Sequence, residues 1–204
     1  MSAMADSSLP AVDAEEQARA NIYALLSRLF AAPADRNLLR GIASGPVSAD
    51  QPEGNGRFGL AWAGLAAVAA DADETAVTDE YHELFVGSGR SEISLYLGAY
   101  TARSSVDTPL VALRSFLASH GLQRQTGVHE PEDHVAMLFE IMRYLICEER
   151  SGLDQQKSFF DTFLWGGGLL LCDAISQHPR AQFFRPVAIF AKTFLLVEHE
   201  AFNM

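Results

Sequence analysis

Positive charge is scarce in this chain. Fifteen lysines and arginines stand against 26 aspartates and glutamates, a formal charge of -11 over 204 residues, and only Lys157 and Lys192 are lysines. Affinity for nucleic acid comes mainly from neutralising phosphates, so this balance argues against that role. An anionic membrane surface would repel the chain for the same reason, whereas a basic partner would be attracted. Cysteine is equally sparse. Cys147 and Cys172 are the only two and form neither a CxxC nor a metal-ligand spacing, which suits a reducing compartment. No basic residue precedes Arg19 and no apolar core region accompanies it, so the first residues do not read as a secretory signal. The longest nearly uncharged apolar run, residues 59–70, falls short of the ~20 residues of a membrane span. The expectation is a cytoplasmic chain with no stable membrane insertion.

Strand signals are also missing. No stretch alternates convincingly at period two, and no Asn-Gly or Asp-Gly turn joins two β-rich runs. What is present is a globular composition, 49% apolar and 20% charged, arranged at helical spacing. Asp13 with Glu16 reads as a helix start, followed by Ala18, Ile22, Leu25, Leu26 and Leu29 on one face, and Pro33 stops that helix. A short helix over 37–43, a loop over 44–57 and an alanine-rich helix over 58–70 come next. With so little polar surface, the alanine-rich helix is expected to be buried on several sides. Residues 73–86 carry Val77, Tyr81, Leu84 and Phe85 on one face and end at Gly87. Pro109 opens and Gly121 closes another helix; Pro131 opens the next, with Glu132 and Asp133 in its first turn. Apolar helices over 159–175 and 186–202 complete an all-α, single-domain helical bundle spanning residues 13–204, behind a flexible N-terminus at residues 1–12.

Little in this pattern asks for catalysis or a cofactor. There is no HExxH, and Asp79-x-x-His82 is the nearest approach to the Glu-x-x-His pair of di-iron bundles, without a second copy. Gly87-Ser88-Gly89 follows a helix, not a strand, and no GxxxxGK[ST] occurs, so neither phosphate-binding fingerprint is met. Gly166-Gly167-Gly168 lies in an apolar helical stretch and points to close packing or a kink. Glu198-His199-Glu200 reads as a solvated tail. No GxSxG is present. No metal or organic cofactor is expected.

Three stretches carry more information. Glu130-Pro131-Glu132-Asp133-His134 combines a helix start with a histidine that counts onto the apolar face with Leu138, Ile141 and Leu145. A polar ring there either finds a partner in the core or lines a cleft. Glu80-Tyr81-His82-Glu83-Leu84-Phe85-Val86-Gly87 is an amphipathic helix end. Ile93-Ser94-Leu95-Tyr96-Leu97-Gly98-Ala99-Tyr100 places an aromatic pair in a loop, where the rings either contact a peptide or plug the core.

In this order on a helical chain, the three stretches resemble the TorD family, chaperones dedicated to molybdenum enzymes that include DmsD-like and NarJ-like members. The likeness runs from about Tyr23 to Phe202. Glu130–His134 resembles the family's E-P-x-D-H segment. Glu140-Ile141-Met142-Arg143-Tyr144-Leu145 resembles its E-x-M-x-x-L, and Glu80–Gly87 its E-Y-x-x-L-F-x-G. Ser94-Leu95-Tyr96-Leu97-Gly98 stands where many members have P-Y-x-S, and the overlapping Glu92-Ile93-Ser94-Leu95-Tyr96 resembles the pattern of a branch associated with formate dehydrogenase maturation. Gly166 stands where many have proline.

The resemblance implies a chaperone, not an enzyme. It would bind the twin-arginine leader or apo-form of a molybdoenzyme, a formate dehydrogenase in that branch, aid cofactor insertion and prevent premature export. It would be a monomer or a helix-exchanged homodimer. Its peptide-binding residues would be Tyr81, Phe85, Tyr96, Pro131, Asp133 and His134. Asp133 would meet a cation, the aromatic rings would floor an apolar groove, and His134 would serve as a hydrogen-bonding or pH-sensitive element. The rival readings are a small nucleotide-dependent helical enzyme and a permanent accessory subunit of an oxidoreductase.

Overall fold

The computed structural model describes residues 13–45, 56–87, 91–101, 109–121 and 132–204. The helices in chain order are α1 (Ala14–Ala31), α2 (Arg36–Ser44), α3 (Arg57–Asp71), α4 (Glu74–Tyr81), α5 (Gly98–Thr101), α6 (Pro109–Ser119), α7 (Val135–Cys147), α8 (Leu153–Phe159), α9 (Gly166–Gln177) and α10 (Phe184–Ala201). Two π-helical turns, His82–Val86 after α4 and Phe160–Trp165 between α8 and α9, continue the helices they join. Among the described residues no strand forms; the one extended pairing is a single antiparallel bridge between Tyr96 and His134.

Aspartates start three of the helices. The carboxylates of Asp13, Asp35 and Asp73 accept from Glu16 N at 2.8 Å, Leu38 N at 2.7 Å, and Thr75 and Ala76 N at 3.1 Å. α1 stops ahead of Pro33, and Pro109 begins α6, which ends before Gly121 at φ +66°.

α1 lies along α7, α10 packs on both α3 and α9, and α2 lies on α3. Tyr23 joins three of these helices: its ring is 6.1 Å from Phe139 of α7 and 4.8 Å, edge-on, from Phe194 of α10. Close approach explains two of the three consecutive glycines. A Cβ on Gly168 would stand 2.9 Å from Leu195 Cδ1 of α10, and one on Gly167 would stand 3.0 Å from Leu97 Cβ, beside α5. Gly166 faces open space.

Three sequence expectations change. Glu198 belongs to the core, only 2% exposed, instead of to a solvated tail. Arg19 donates to both its oxygens at 2.8 Å, and the Tyr23 hydroxyl donates to Oε2 at 2.8 Å. A buried carboxylate is tolerable when its lone pairs are filled in this way. Burial, reinforced by the adjacent Glu198 charge, pushes the Tyr23 hydroxyl well above the ordinary tyrosine value.

Secondly, α3 is not enclosed. Ala61, Leu65, Ala66 and Ala69 face its neighbours, but Leu60 is 69% exposed and Ala63, Gly64 and Ala67 share the open side. Alanine is small enough to cover a solvent face at little cost, so an apolar count overstates burial. Thirdly, the continuous helical run Leu153–Gln177 reaches the length and apolarity of a membrane span, with mean hydropathy 1.2, and 44% of that window is buried inside the protein. Phe159, Phe160, Leu164, Leu171, Cys172 and Ile175 supply core contacts from it.

Glu80 has a role that periodicity alone does not reveal. Its carboxylate reaches across to the start of α10, where Oε1 accepts from Gln182 N and Phe184 N and Oε2 from Phe183 N, all at 2.9 Å. No side chain local to α10 caps it. Glu80 is therefore a cap supplied from elsewhere in the chain, favoured by the positive end of the helix dipole.

Two outcomes are expected. Glu80→Ala strands all three amide hydrogens and lowers unfolding free energy by roughly 1–3 kcal/mol, while Glu80→Gln keeps one acceptor oxygen and loses less. Urea melts of both variants check the order. For Tyr23, the raised folded value favours the protonated hydroxyl, so its stabilising contribution is complete below about pH 10 and is lost as pH rises through the folded value. Tyr23→Phe should cost roughly 1–2 kcal/mol near neutrality and flatten the alkaline fall in stability, read from melts across pH 8–11.

Candidate functional site

The informative stretches meet at the N-terminus of α7. Burial alternates along residues 93–97, with Ile93, Leu95 and Leu97 buried and Ser94 and Tyr96 half-buried between them. Ile93 N donates to Leu84 O at 2.9 Å, which fastens this segment to the π-helical turn after α4. At its other end, Leu97 N donates to Asp133 O at 3.0 Å and Val135 N donates to Leu95 O at 2.9 Å. The Asp133 carboxylate then accepts from Gly98 N at 3.0 Å, at the start of α5. Glycine at position 98 lets the carboxylate lie this close, because a Cβ there would stand 2.6 Å from Asp133 Oδ2 and push it away. Leu97 and Thr101 rest on Gly167 of α9.

This geometry revises several expected roles. α7 begins at Val135, so Glu132 and Asp133 lie in the turn before it, not in its first turn, and His134 is the N-cap. His134 Nδ1 accepts from Ala136 N at 3.3 Å, so Nε2 carries the proton of the neutral ring. Because a cap lies outside the helical repeat, the ring does not align with Leu138, Ile141 and Leu145. It meets the Tyr96 ring edge-on at 5.2 Å. Asp133 is engaged as a backbone anchor through Gly98 rather than standing open to an external cation. Pro131 lies outside the described residues.

Tyr81 and Phe85 are placed in the core, 6% and 8% exposed, and not on the floor of an open groove. The Tyr81 hydroxyl donates to Phe30 O at 3.1 Å, and both rings pack on Phe184, at 5.7 and 5.0 Å. The π-helical turn contributes to this arrangement, since its extra residue per turn brings Leu84 and Phe85 inward together while Val86 remains exposed. The structure thus gathers Tyr96, Asp133 and His134, and the Ile93–Leu84 backbone bond ties their segment to the turn that carries Phe85.

Neighbouring residues add chemistry that sequence spacing does not show. Arg114 of α6 forms an ion pair with Glu132 at 3.1 Å. Met137, one turn into α7 from His134, is 46% exposed. Eighteen residues separate Arg114 from Glu132, and no local pattern marks the pair. For Met137 a signal existed, since it lies off the stripe of Leu138, Ile141 and Leu145.

Among the described residues at this locus, Asp133 is bonded to the Gly98 amide and His134 to the Ala136 amide. Cys172 lies elsewhere, in α9, and burial pushes its thiol up to about 12, far from a reactive thiolate. Among the described residues, no group of three or more His, Cys, Asp or Glu side chains is placed to hold a metal.

Comparison with known proteins gives this geometry a setting. A solved structure from Archaeoglobus fulgidus, described as a redox enzyme maturation protein, superposes over 94% of this chain and 99% of its own with a TM-score of 0.55. At 16% identity that likeness speaks for the fold. A Haemophilus influenzae protein named as a probable Tat proofreading chaperone DmsD is 32% identical over 116 residues. That match spans 55% of each chain, so this chain aligns with about half the length of the curated relative. The family described as the nitrate reductase delta subunit matches residues 51–168, which contain all three informative stretches and more than half of the sequence. The chain belongs to that family, the TorD/NarJ family.

Proposed function

We propose that this protein is a cytoplasmic maturation chaperone of a molybdoenzyme. It binds the basic twin-arginine leader, or another N-terminal segment, of the apo catalytic subunit and holds it until the molybdenum cofactor is inserted. The client's cofactor is cargo in this scheme, and the chaperone breaks no bond. Formate dehydrogenase is the client class suggested by the Glu92-Ile93-Ser94-Leu95-Tyr96 stretch.

The reading rests above all on one observation. The three stretches shared with the family converge through backbone bonds on a single locus, where half-buried Tyr96 and His134 are held against each other by Asp133. Side chains held this way lose little freedom on contact with a peptide. A chain of net charge -11 also attracts a basic leader from a distance. The enzymatic alternative has no phosphate-loop or GxSxG motif in the sequence to support it, and the accessory-subunit alternative differs only in whether the complex persists.

Purification of the tagged protein from its host, with mass spectrometry of what accompanies it, separates these readings. A catalytic subunit lacking its cofactor is expected; a complete, cofactor-loaded oxidoreductase would favour the permanent subunit. Leader affinity should fall as salt is raised from about 0.05 to 0.5 M, because surface charge attraction is screened over a Debye length of a few ångströms at the higher value. An unchanged affinity would assign the complex to apolar contact.

Tyr96→Ala and His134→Ala should weaken leader binding roughly five- to thirtyfold, the ~1–2 kcal/mol of an interface anchor. Asp133→Asn, which retains an oxygen for the Gly98 amide, should melt within ~1 kcal/mol of the parent. Calorimetric titration beside thermal melting on the same samples measures both. Normal binding by folded Tyr96 and His134 variants would remove this locus from the peptide site.

A further inference from the structure

His120, His178 and His199 each face a carboxylate, and the first differs from the other two. His178 Nδ1 accepts from Arg180 N at 3.3 Å, so Nε2 carries the proton and donates to Glu92 at 2.9 Å, on a carboxylate that Arg180 also pairs. His199 stands 3.7 Å from Asp161, which already holds Lys157 at 3.2 Å. Both of those carboxylates are supplied with a donor. His120, just past the end of α6, is turned the other way. Its Nδ1 lies 2.8 Å from Phe116 O, which can only accept, so Nδ1 carries the proton and Nε2 of the neutral ring keeps its lone pair. Nε2 is 3.6 Å from Glu149 Oε1, and the histidine side chain is only 10% exposed, with its ring stacked on Phe116. Glu149 lies in the turn between α7 and α8, where its amide donates to Tyr144 O at 3.0 Å. Its Oε2 is buried and has no hydrogen-bond partner among the described residues. The side-chain amide of Gln155 on α8 completes the cluster, its nitrogen against His120 Nε2.

A lone pair and a carboxylate oxygen brought face to face repel each other unless a cation lies between them. The 3.6 Å gap is longer than a hydrogen bond, so a proton on Nε2 does not bridge it without movement. The same gap matches two ligands of one metal ion. With bonds of ~2.0–2.1 Å, as zinc makes to nitrogen and oxygen, the two would open to an angle of about 120°. The Phe116 carbonyl on Nδ1 is the kind of outer contact that fixes the tautomer and orientation of a metal-binding histidine.

We propose that His120 and Glu149 form a binding site for a divalent transition metal, Zn2+ above all, with Gln155 as a weaker third ligand. Turned over, the Gln155 amide presents its carbonyl oxygen in place of its nitrogen, and Glu149 Oε2 supplies a second carboxylate oxygen. A mixed nitrogen and oxygen donor set suits zinc better than magnesium or calcium, which take oxygen ligands. One histidine, one carboxylate and one amide are fewer strong ligands than a structural zinc site has, so the ion is exchangeable and the fold does not depend on it. Bound there, it ties the end of α6 to the turn between α7 and α8, beside the contacts that Phe116 makes with Phe159 and Phe163 at 5.0 and 5.9 Å. The site stands apart from leader binding.

The test strips the full chain of metal with a chelator, dialyses it and titrates it calorimetrically with zinc chloride. Co2+ serves as a spectroscopic substitute. The parent is compared with Glu149→Gln, His120→Ala and His199→Ala, the last of which removes an imidazole from α10. Melting of each variant checks folding. Glu149→Gln keeps the shape of the side chain, so the test remains readable if His120→Ala, which loses the stack on Phe116, melts early.

The expected result is one saturable zinc site, weakened at least about tenfold by Glu149→Gln and by His120→Ala and unchanged within about twofold by His199→Ala. Zinc should raise the melting temperature of the parent and of His199→Ala with increasing concentration, and leave that of the other two unmoved. The cobalt form should show no thiolate charge-transfer band, which separates this site from one at Cys147. Absence of saturable zinc binding overturns the site. Binding that survives Glu149→Gln, or that carries a thiolate band, marks an adventitious ion only and overturns it as well.

Discussion

The amide of Gly98 and the carboxylate of Asp133 form the contact on which the site depends. Their 3.0 Å hydrogen bond stands beside two backbone bonds that pair residues 95–97 with 133–135, and together they turn a lone β-bridge into a fixed junction. A single bridge has no neighbouring ladder to support it, so side-chain help of this kind decides whether it persists. The requirements then spread outward. Position 98 must lack a Cβ to admit the carboxylate, and position 167 must lack one to admit Leu97 and Thr101. Tyr96 and His134 face each other because the backbones on either side are already joined.

Much of the architecture was legible in the sequence because it is governed by local rules. Asp13, Pro33, Pro109 and Gly121 act on the helices next to them, through side-chain caps, a missing amide hydrogen and a permitted positive φ. The same logic misplaced the start of α7. Proline followed by acids is a sound helix opening, yet here Glu132 pairs with Arg114 and Asp133 with Gly98, and the helix starts only after both are committed. Tertiary partners outweighed local preference by a few residues, and that shift changed His134 from a member of an apolar stripe into a cap.

For the candidate site, the sequence named residues but not the contacts they make. Tyr96, Asp133 and His134 do come together. Tyr81 and Phe85 share their motif with Glu80, but periodicity could not tell a ring that closes a core from one that floors an open groove; Phe184 fills that role from about a hundred residues away. Glu198 failed for a related reason. A charged triplet near a chain end looks solvated until a buried tyrosine and an arginine on α1 are seen to receive it. Such partners leave no mark in nearby sequence.

The double anchoring of α10 bears on how the protein is made. Its first turn is capped by Glu80, and its last turn is clamped to Arg19 and Tyr23, partners more than a hundred residues earlier in the chain. On the ribosome, α1 and α4 emerge long before either connection can close. Until residue 198 is synthesised, the Tyr23 hydroxyl and the Arg19 guanidinium lack their carboxylate, and Glu80 has no helix to cap. Contacts of such long sequence separation are slow to form, and here α1 is completed by α10. During vectorial synthesis the groups on α1 and α4 that hold α10 therefore wait for α10 to emerge before their charges and acceptors are satisfied.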